Sequence, residues 1–289
     1  MFCICRVYYL EGDYLLPFFT IFKEHRHFGK QIFLLAKNEL LKTYKGALIG
    51  PFWAIIKPAF TLFVYWFAFS IGLKKSGGVD VLIHGKTLEF DRFLFMLVGF
   101  IPWFFIQDSI LMGSRSIRLN SQFVTKVNFP VSTIPTYTVL SRLYVNLFLT
   151  VIMYVYVAIV HGVSIYNLQF FIYCPFMFAF FLLLSWSTAP MSAISRDFEN
   201  IIISIMAGVF WLSGIVYNSY DLPNHALEKI MLFNPINFFV NGFRNAFLYD
   251  RWFFEYKTEL VIVLAEFVGL FFLGMFNYSR LRKKLPDVM

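Results

Sequence analysis

Six apolar stretches in the sequence are each long enough to cross a lipid bilayer as a helix. They fall at 52–73, 93–113, 134–160, 168–190, 200–217 and 258–278. A helix needs about 20 apolar residues to cross a hydrocarbon core that is about 30 Å thick. Hydrophobic residues make up 59% of the 289 residues, which is above the roughly 45–50% of soluble domains. We therefore predict an all-α integral membrane protein with six transmembrane helices.

The distribution of Lys and Arg predicts the orientation of the chain. Six spans place both ends on one side, and that side has fifteen Lys and Arg residues against eight on the other. Positive residues are enriched in cytoplasmic segments, so we expect both termini in the cytosol. Residues 1–27 lack the features of a signal peptide and are predicted to form a cytosolic leader. Because the net charge of +8 lies at the ends of the apolar stretches, it does not indicate nucleic-acid binding.

Residues 28–48 do not fit a simple span. One helical face is apolar (Phe33, Ala36, Leu40, Tyr44 and Ala47) and another is polar and basic (Asn38, Lys42 and Lys45). This pattern predicts an N-terminal interfacial amphipathic helix that lies in the inner membrane surface. The alternative is a cytosolic helix that packs on its own protein.

Residues 218–250 contain apolar pieces that are too short to cross the membrane and that are interrupted by Pro223 and Pro235. Proline disfavours the continuation of a helix before it. We predict two re-entrant helices that enter the outer leaflet between spans five and six and form a candidate outer gate. The alternative is an ordinary outer loop.

The sequence has no nucleotide-binding P-loop, no zinc-protease pair and no nucleophile elbow, so we predict no catalytic residues, no metal and no ATPase site. Asp80, His84, Glu89 and Asp91 have no fixed ligand spacing and are predicted to belong to a solvated outer loop. Asp108 and Glu266 lie inside spans, where ionisable residues are costly. They favour structural pairing or channel lining. Arg142 is predicted to reach the membrane interface.

The stretch "SRSIRLNSQFVTKVNFP", residues 114–130, lies between two spans on the cytosolic side. As a helix it offers Ile117 and Phe123 for packing, and Arg115, Arg118 and Lys126 for acidic contacts. Such a short amphipathic element can lie in a cleft of a partner and move the adjoining helices. The alternative is a basic loop that follows the charge rule. We predict that 114–130 is the coupling segment for a separate ATPase.

Several segments resemble the membrane subunit of ABC-type polysaccharide exporters, most closely the group that exports teichoic acid and rhamnose polysaccharide. They occur in order and include "FLFMLVGFIPWFF" (93–105), "GSRSI" (113–117), "VTKVNFPVSTIPTYTVLSRLY" (124–144), "ISRDFENII" (194–202) and "NPINFFVNGFRNAFL" (234–248). The resemblance implies that 28–289 is a single transporter domain in the bacterial plasma membrane. It also implies a homodimer with two copies of an ABC ATPase subunit, which would bind the ATP and Mg²⁺, and no cofactor in this chain.

The resemblance assigns ATPase coupling to 114–130 and to the loop at 195–200. The candidate coupling residues are Arg115, Arg118, Asn120, Phe123, Lys126, Asn128, Phe129, Pro130, Arg196 and Asp197.

The expected cargo is a polymer linked to undecaprenyl diphosphate, with teichoic acid as the first expectation. Alternatives are an O-antigen or capsule polysaccharide, a small molecule, or a membrane-embedded transferase that modifies cell-wall lipids. Because sugars stack on aromatic rings, we predict a substrate path lined by a subset of Phe52, Trp53, Phe60, Tyr65, Trp66, Phe210, Trp211 and Tyr217. Lys37, Lys42 and Lys45 are predicted to attract the diphosphate at the cytosolic entrance.

Overall fold

The computed structural model describes residues 17–72, 77–125, 129–222 and 224–285. The α-helices are α1 (Pro17–His27), α2 (Gly29–Tyr44), α3 (Trp53–Phe67), α4 (Arg92–Leu119), α5 (Gln122–Thr125), α6 (Thr133–Val160), α7 (Phe170–Ile194), α8 (Arg196–Trp211), α9 (His225–Leu232), α10 (Pro235–Arg244) and α11 (Lys257–Leu281). The two strands are β1 (Val79–Ile83) and β2 (Lys86–Phe90). The prediction of an all-α membrane protein is confirmed apart from this hairpin.

Within the described ranges, five helical segments are long and apolar enough to cross a membrane. They are Gly50–Gly72, Arg92–Leu119, Thr133–Val160, Ile165–Ile194 and Lys257–Leu281. The remaining predicted span, 200–217, falls on α8, which has 16 residues. Such a helix is about 24 Å long, which is shorter than a typical hydrocarbon core. The sixth span therefore stays a prediction.

The core is built around α4, which packs against α6, α7 and α10. In the most apolar part of α4, 67% of the residues are buried, whereas only 6% are buried in the most apolar part of the first span. Glycine permits the close approach of α4 and α7, because a Cβ on Gly113 would lie 2.2 Å from Ser185 Oγ. The helix that contains the second span is thus the central one, and α3 lies at its periphery.

Residues 79–90 form an antiparallel hairpin and not an irregular loop, although Asp80, His84, Glu89 and Asp91 are all exposed, as predicted. Val79 pairs with Phe90 and Ile83 with Lys86. The turn has positive φ at His84 and Gly85, as expected for a two-residue hairpin turn that matches the strand twist. Val81 and Ile83 are buried because alternate residues of a strand face the same side.

The last part of the predicted leader is a packed helix. Ile21 of α1 is buried against Met275 and Tyr278 of α11. Glu24 contacts Ser132 Oγ and also accepts from Arg282 Nη2 at 3.0 Å. Residues 1–16 lie outside the described ranges. From Pro17 onward, the segment is therefore part of the folded domain and not a simple leader.

Burial lowers the pKa of His25 in α1, which favours the neutral ring. Its Nδ1 lies 2.8 Å from Ile21 O, and its Nε2 lies 2.8 Å from Thr136 Oγ1 of α6. The ring also meets Trp186 of α7 edge-on, with 5.3 Å between centroids. α1 therefore contacts α6, α7 and α11.

The predicted interfacial helix is α2, which ends four residues earlier than expected. Lys45 leaves the helical conformation, and Gly46 follows with a φ of 85°, a conformation that favours glycine. Ile32 and Ala36 are buried against α6, whereas Phe33 is 61% exposed. The packed face thus includes Ala36 of the predicted apolar face, while Phe33 of that face points outward. α2 packs on its own protein and also presents apolar side chains outward.

Residues 218–250 contain the two short helices that the sequence predicts. Asn234 caps α10, since its Oδ1 accepts from Ile236 N at 3.0 Å and Pro235 occupies the first turn. This combination is typical of a helix start. Every residue from Ile236 to Arg244 is buried. Entry of these helices into the outer leaflet stays a prediction.

Candidate functional site

The segment 114–130 is not one short helix. Residues 114–119 are the last turns of α4, which ends where Asn120 N bonds to Ile117 O at 3.2 Å. Asn120 Nδ2 also donates to Ser116 O at 2.9 Å. The separate helix α5 then covers Gln122–Thr125. The predicted coupling residues Lys126 and Asn128 lie outside the described ranges. The second span and the first six residues of the predicted coupling segment therefore share one continuous helix.

Two predicted coupling rings pack inside the chain. The ring of Phe123 lies 5.2 Å from that of Phe129, which lies 5.5 Å from that of Phe28. Pro130 O accepts from Thr133 Oγ1 at 2.7 Å at the start of α6. These contacts attach the turn between α4 and α6 to the beginning of α2. Contact of these residues with a partner stays a prediction.

Arg115 and Arg118 bind Glu199 in the first turn of α8. Arg115 Nε lies 2.7 Å from Glu199 Oε1, and Arg118 Nη2 contacts the other carboxylate oxygen. The Glu199 side chain is 10% exposed, and each arginine side chain is about 30% exposed. The two arginines therefore connect α4 to α8 within the chain.

Sequence reasoning missed Glu199, although a signal was present. Glu199 lies on the same helical face as Met206 and Phe210, and all three are buried. An acidic residue in register with an apolar stripe indicates a buried charge partner. Arg196 and Asp197, the predicted second coupling site, precede it and are exposed.

The predicted path residues divide into a packed cluster and exposed rings. Tyr65 of α3 lies 4.9 Å from Phe210 and 6.3 Å from Trp211 of α8, measured between centroids. Phe210 is buried and also meets Phe100 and Trp103 of α4. The structure thus brings together three of the eight predicted rings.

Four of the other predicted path residues lie outside this cluster, whereas Tyr217 is hydrogen-bonded to it. Phe52 and Phe60 are each 66% exposed. Lys57 Nζ lies 5.8 Å from the ring of Trp53, and Trp66 meets Phe93. Tyr217 donates to Trp211 O at 2.7 Å.

Arg244 is fully buried at the end of α10 and holds the turn after α8. Its Nη1 donates to Gly214 O at 2.7 Å, and its Nη2 donates to Ile215 O at 2.5 Å. The guanidinium carbon lies 3.6 Å from the centroid of the Phe95 ring. A Cβ on Gly99 would lie 2.6 Å from Arg244 Nη2, so glycine makes room for it. Arg244 is one of the eight Lys and Arg residues that the charge count places on the outer side, yet its side chain is buried.

The basic entrance residues lie on and just after α2. Lys37, Lys42 and Lys45 are exposed, and Lys42 Nζ lies 4.0 Å from Glu39. Lys42 and Lys45 border a cleft of about 490 Å³ that is also lined by Tyr44. Surface cations and a cleft therefore occur together where α2 ends.

The two acids predicted inside spans differ in their surroundings. Asp108 is exposed and interacts electrostatically with Arg142 and Lys57. Glu266 has one buried oxygen that lacks a hydrogen-bond partner among the described residues. In the same part of the chain, no group of three or more His, Cys, Asp or Glu is placed to hold a metal.

Comparison with known proteins identifies the family. The model of the membrane domain of ABC-2 type transporters matches residues 30–248, which is more than half of the chain. The chain belongs to this family. The matched region extends from α2 to the turn after α10 and includes the Arg115–Arg118–Glu199 contact, the Tyr65 cluster and Arg244. Membership makes the chain a membrane-embedded transport subunit.

Three relatives are O-antigen export system permease proteins named RfbA. One from Myxococcus xanthus is 22% identical over 220 residues, which cover 75% of this chain and 80% of the relative. Two from Klebsiella pneumoniae are each 21% identical over 263 and 261 residues, which cover 89% of this chain and 93% of each relative.

Proposed function

We propose that this chain is the membrane subunit of an ATP-driven exporter of a lipid-linked polysaccharide of the O-antigen type. The cargo crosses from the cytosolic to the outer face of the bacterial plasma membrane. The names of the three relatives support this cargo. They favour the O-antigen alternative over teichoic acid, the first expectation from the sequence.

The observation that carries the proposal is the exposed aromatic side of α3 within a chain of this family. The most apolar part of the first span is only 6% buried, and Phe52 and Phe60 point away from the described core. A polymer of sugars can stack on rings and slide without fixed contacts. Tyr65, Phe210 and Trp211 then form the border between this side and the packed core.

The working assembly is two copies of this chain and two ABC ATPase subunits, which bind ATP and Mg²⁺. The exposed side of α3 supports the presence of a second copy of the chain, because the α3 helices of two copies could face each other and enclose a path for the polymer. The ATPase contacts the cytosolic end of α4, the short helix α5, and the exposed residues Arg196 and Asp197. Both termini are cytosolic, in agreement with the excess of Lys and Arg on that side.

Depletion of this chain tests the proposed cargo. We expect an undecaprenyl-diphosphate-linked O-antigen polymer to accumulate at the cytosolic face, because synthesis continues while export stops. Lipid extraction followed by sugar analysis measures it, and re-expression of the wild-type chain is the control. Accumulation of teichoic acid would contradict the cargo, and normal surface polymer after depletion would contradict export.

A further inference from the structure

Arg142 lies deep in the cytosolic half of α6. It is nine residues after the start of this helix, or about 14 Å along the axis. The residue is 6% exposed. Its guanidinium therefore does not reach the membrane interface, contrary to the prediction from sequence.

The polar groups of this site lack protein partners. Among the described residues, Nε and Nη2 of Arg142 have no hydrogen-bond partner, and neither Oδ1 nor Nδ2 of Asn146 has one. Asn146 is 2% exposed and follows Arg142 by one helical turn, so both lie on the same face of α6. Unsatisfied buried donors are costly, above all on a charged group. A ligand that supplies acceptor oxygens would remove this cost.

The charges around Arg142 leave an excess of positive charge. Asp108 of α4 interacts electrostatically with both Arg142 and Lys57, yet Arg142 forms no ion pair with any residue in the described ranges. Two cations thus face one carboxylate. Arg142 remains free to bind an anion through its planar fork of donors.

A surface cleft lies at the end of α2, the helix that packs against α6. The cleft of about 490 Å³ at the end of α2 is lined by Tyr44, Lys42 and Lys45. Tyr44, which lines this cleft, is near enough to Arg142 and Asp108 to interact with both electrostatically. Anionic ligands would meet the lysines first and Arg142 second.

We propose that Arg142 and Asn146 bind the phosphate groups of the lipid-linked cargo at the inner leaflet. This site rests on the proposed function, since it assigns the part of that cargo which the chain recognises. Arginine binds phosphate oxygens through two parallel charge-assisted hydrogen bonds, and the Asn146 amide adds a donor. Asp108 balances the two cations while the site is empty and opposes the phosphate when it is filled.

The test is a binding titration with the full-length chain in phosphatidylethanolamine nanodiscs. Undecaprenyl diphosphate without sugars is the probe, and undecaprenol and phosphatidylglycerol are the comparison ligands. We expect Arg142→Gln to weaken diphosphate binding about 10- to 100-fold. Asp108→Asn is expected to tighten it about 2- to 5-fold, because it removes a repelling charge. Arg280→Gln removes an exposed cation elsewhere and should leave the affinity unchanged.

The opposite signs of the two effects separate a ligand site from a structural charge pair. Weaker binding and a lower melting temperature for both Arg142→Gln and Asp108→Asn would overturn the proposal. Equal affinity for undecaprenol, or displacement by equimolar phosphatidylglycerol, would also overturn it. If Arg142→Gln does not fold, Arg142→Lys and Asp108→Asn provide the test, and Arg142→Lys should weaken binding. The assay requires no export, so an incorrect polymer assignment in cells leaves its result unaffected.

Discussion

Glu199→Arg is expected to abolish polymer export by the assembled transporter. The substitution places a third cation beside Arg115 and Arg118 and removes the carboxylate that joins α4 to α8. Breaking a buried ion pair costs about 3–5 kcal/mol. Since the arginines are about 30% exposed, we expect the free energy of unfolding to fall by roughly 2 kcal/mol. Export from reconstituted vesicles measures the effect, and we expect the ATPase subunit to keep hydrolysing ATP without moving cargo.

Charge exchange shows whether this contact acts within the chain. Glu199→Arg combined with Arg115→Glu restores an opposite pair at the same place, so we expect export to recover at least in part. Asp221→Asn, which removes an exposed carboxylate, is the matched control and should export normally. If the arginines served only to bind the ATPase, the double variant would be as defective as Glu199→Arg or worse.

Arg244→Ala is expected to destabilise the packing of α10 against α4 and the turn after α8. It leaves the carbonyls of Gly214 and Ile215 without their donor, and it opens a cavity beside Phe95. The lost hydrogen bonds and the new cavity together should lower the free energy of unfolding by about 4 kcal/mol. Arg244→Lys keeps the positive charge but not the planar set of guanidinium donors. We expect it to lower the free energy of unfolding by about half as much as Arg244→Ala does.

Thermal unfolding in detergent, together with the monodisperse fraction after size exclusion, measures this prediction. Lys229→Ala, which changes an exposed cation on α9, is the control. A melting temperature of Arg244→Ala equal to that of wild type would contradict a stabilising role for the hydrogen bonds from Arg244 to Gly214 and Ile215.

Local patterns in the sequence were sufficient to locate most helices. The apolar stretches 93–113, 134–160, 168–190 and 258–278 lie within α4, α6, the Ile165–Ile194 segment and α11. The break at Asn234–Pro235 correctly placed the start of α10. The length of an apolar stretch and the spacing of its apolar residues determine these features, and both can be read from a short piece of sequence.

Long-range pairings were not predictable in the same way. Glu199 lies about 80 positions from its arginines, and nothing near Arg244 in sequence indicates that Gly214 and Ile215 will accept from it. The position of Arg142 early in the third span predicted that it reaches the interface, and the charge count placed Arg244 on the outer side, although both are buried. A residue's type does not determine whether tertiary packing covers it. Likewise, the continuation of α4 through Arg118 became visible only in the structure.

The central claim is that this subunit moves cargo only when a separate ATPase acts on its cytosolic end. The most direct measurement places the purified chain in vesicles with labelled undecaprenyl-diphosphate-linked polysaccharide, with and without its ATPase partner. We predict that the chain alone neither hydrolyses ATP nor moves the polymer, and that both activities appear when the partner and Mg²⁺–ATP are added. ATP hydrolysis or polymer transfer by the chain alone would contradict the claim.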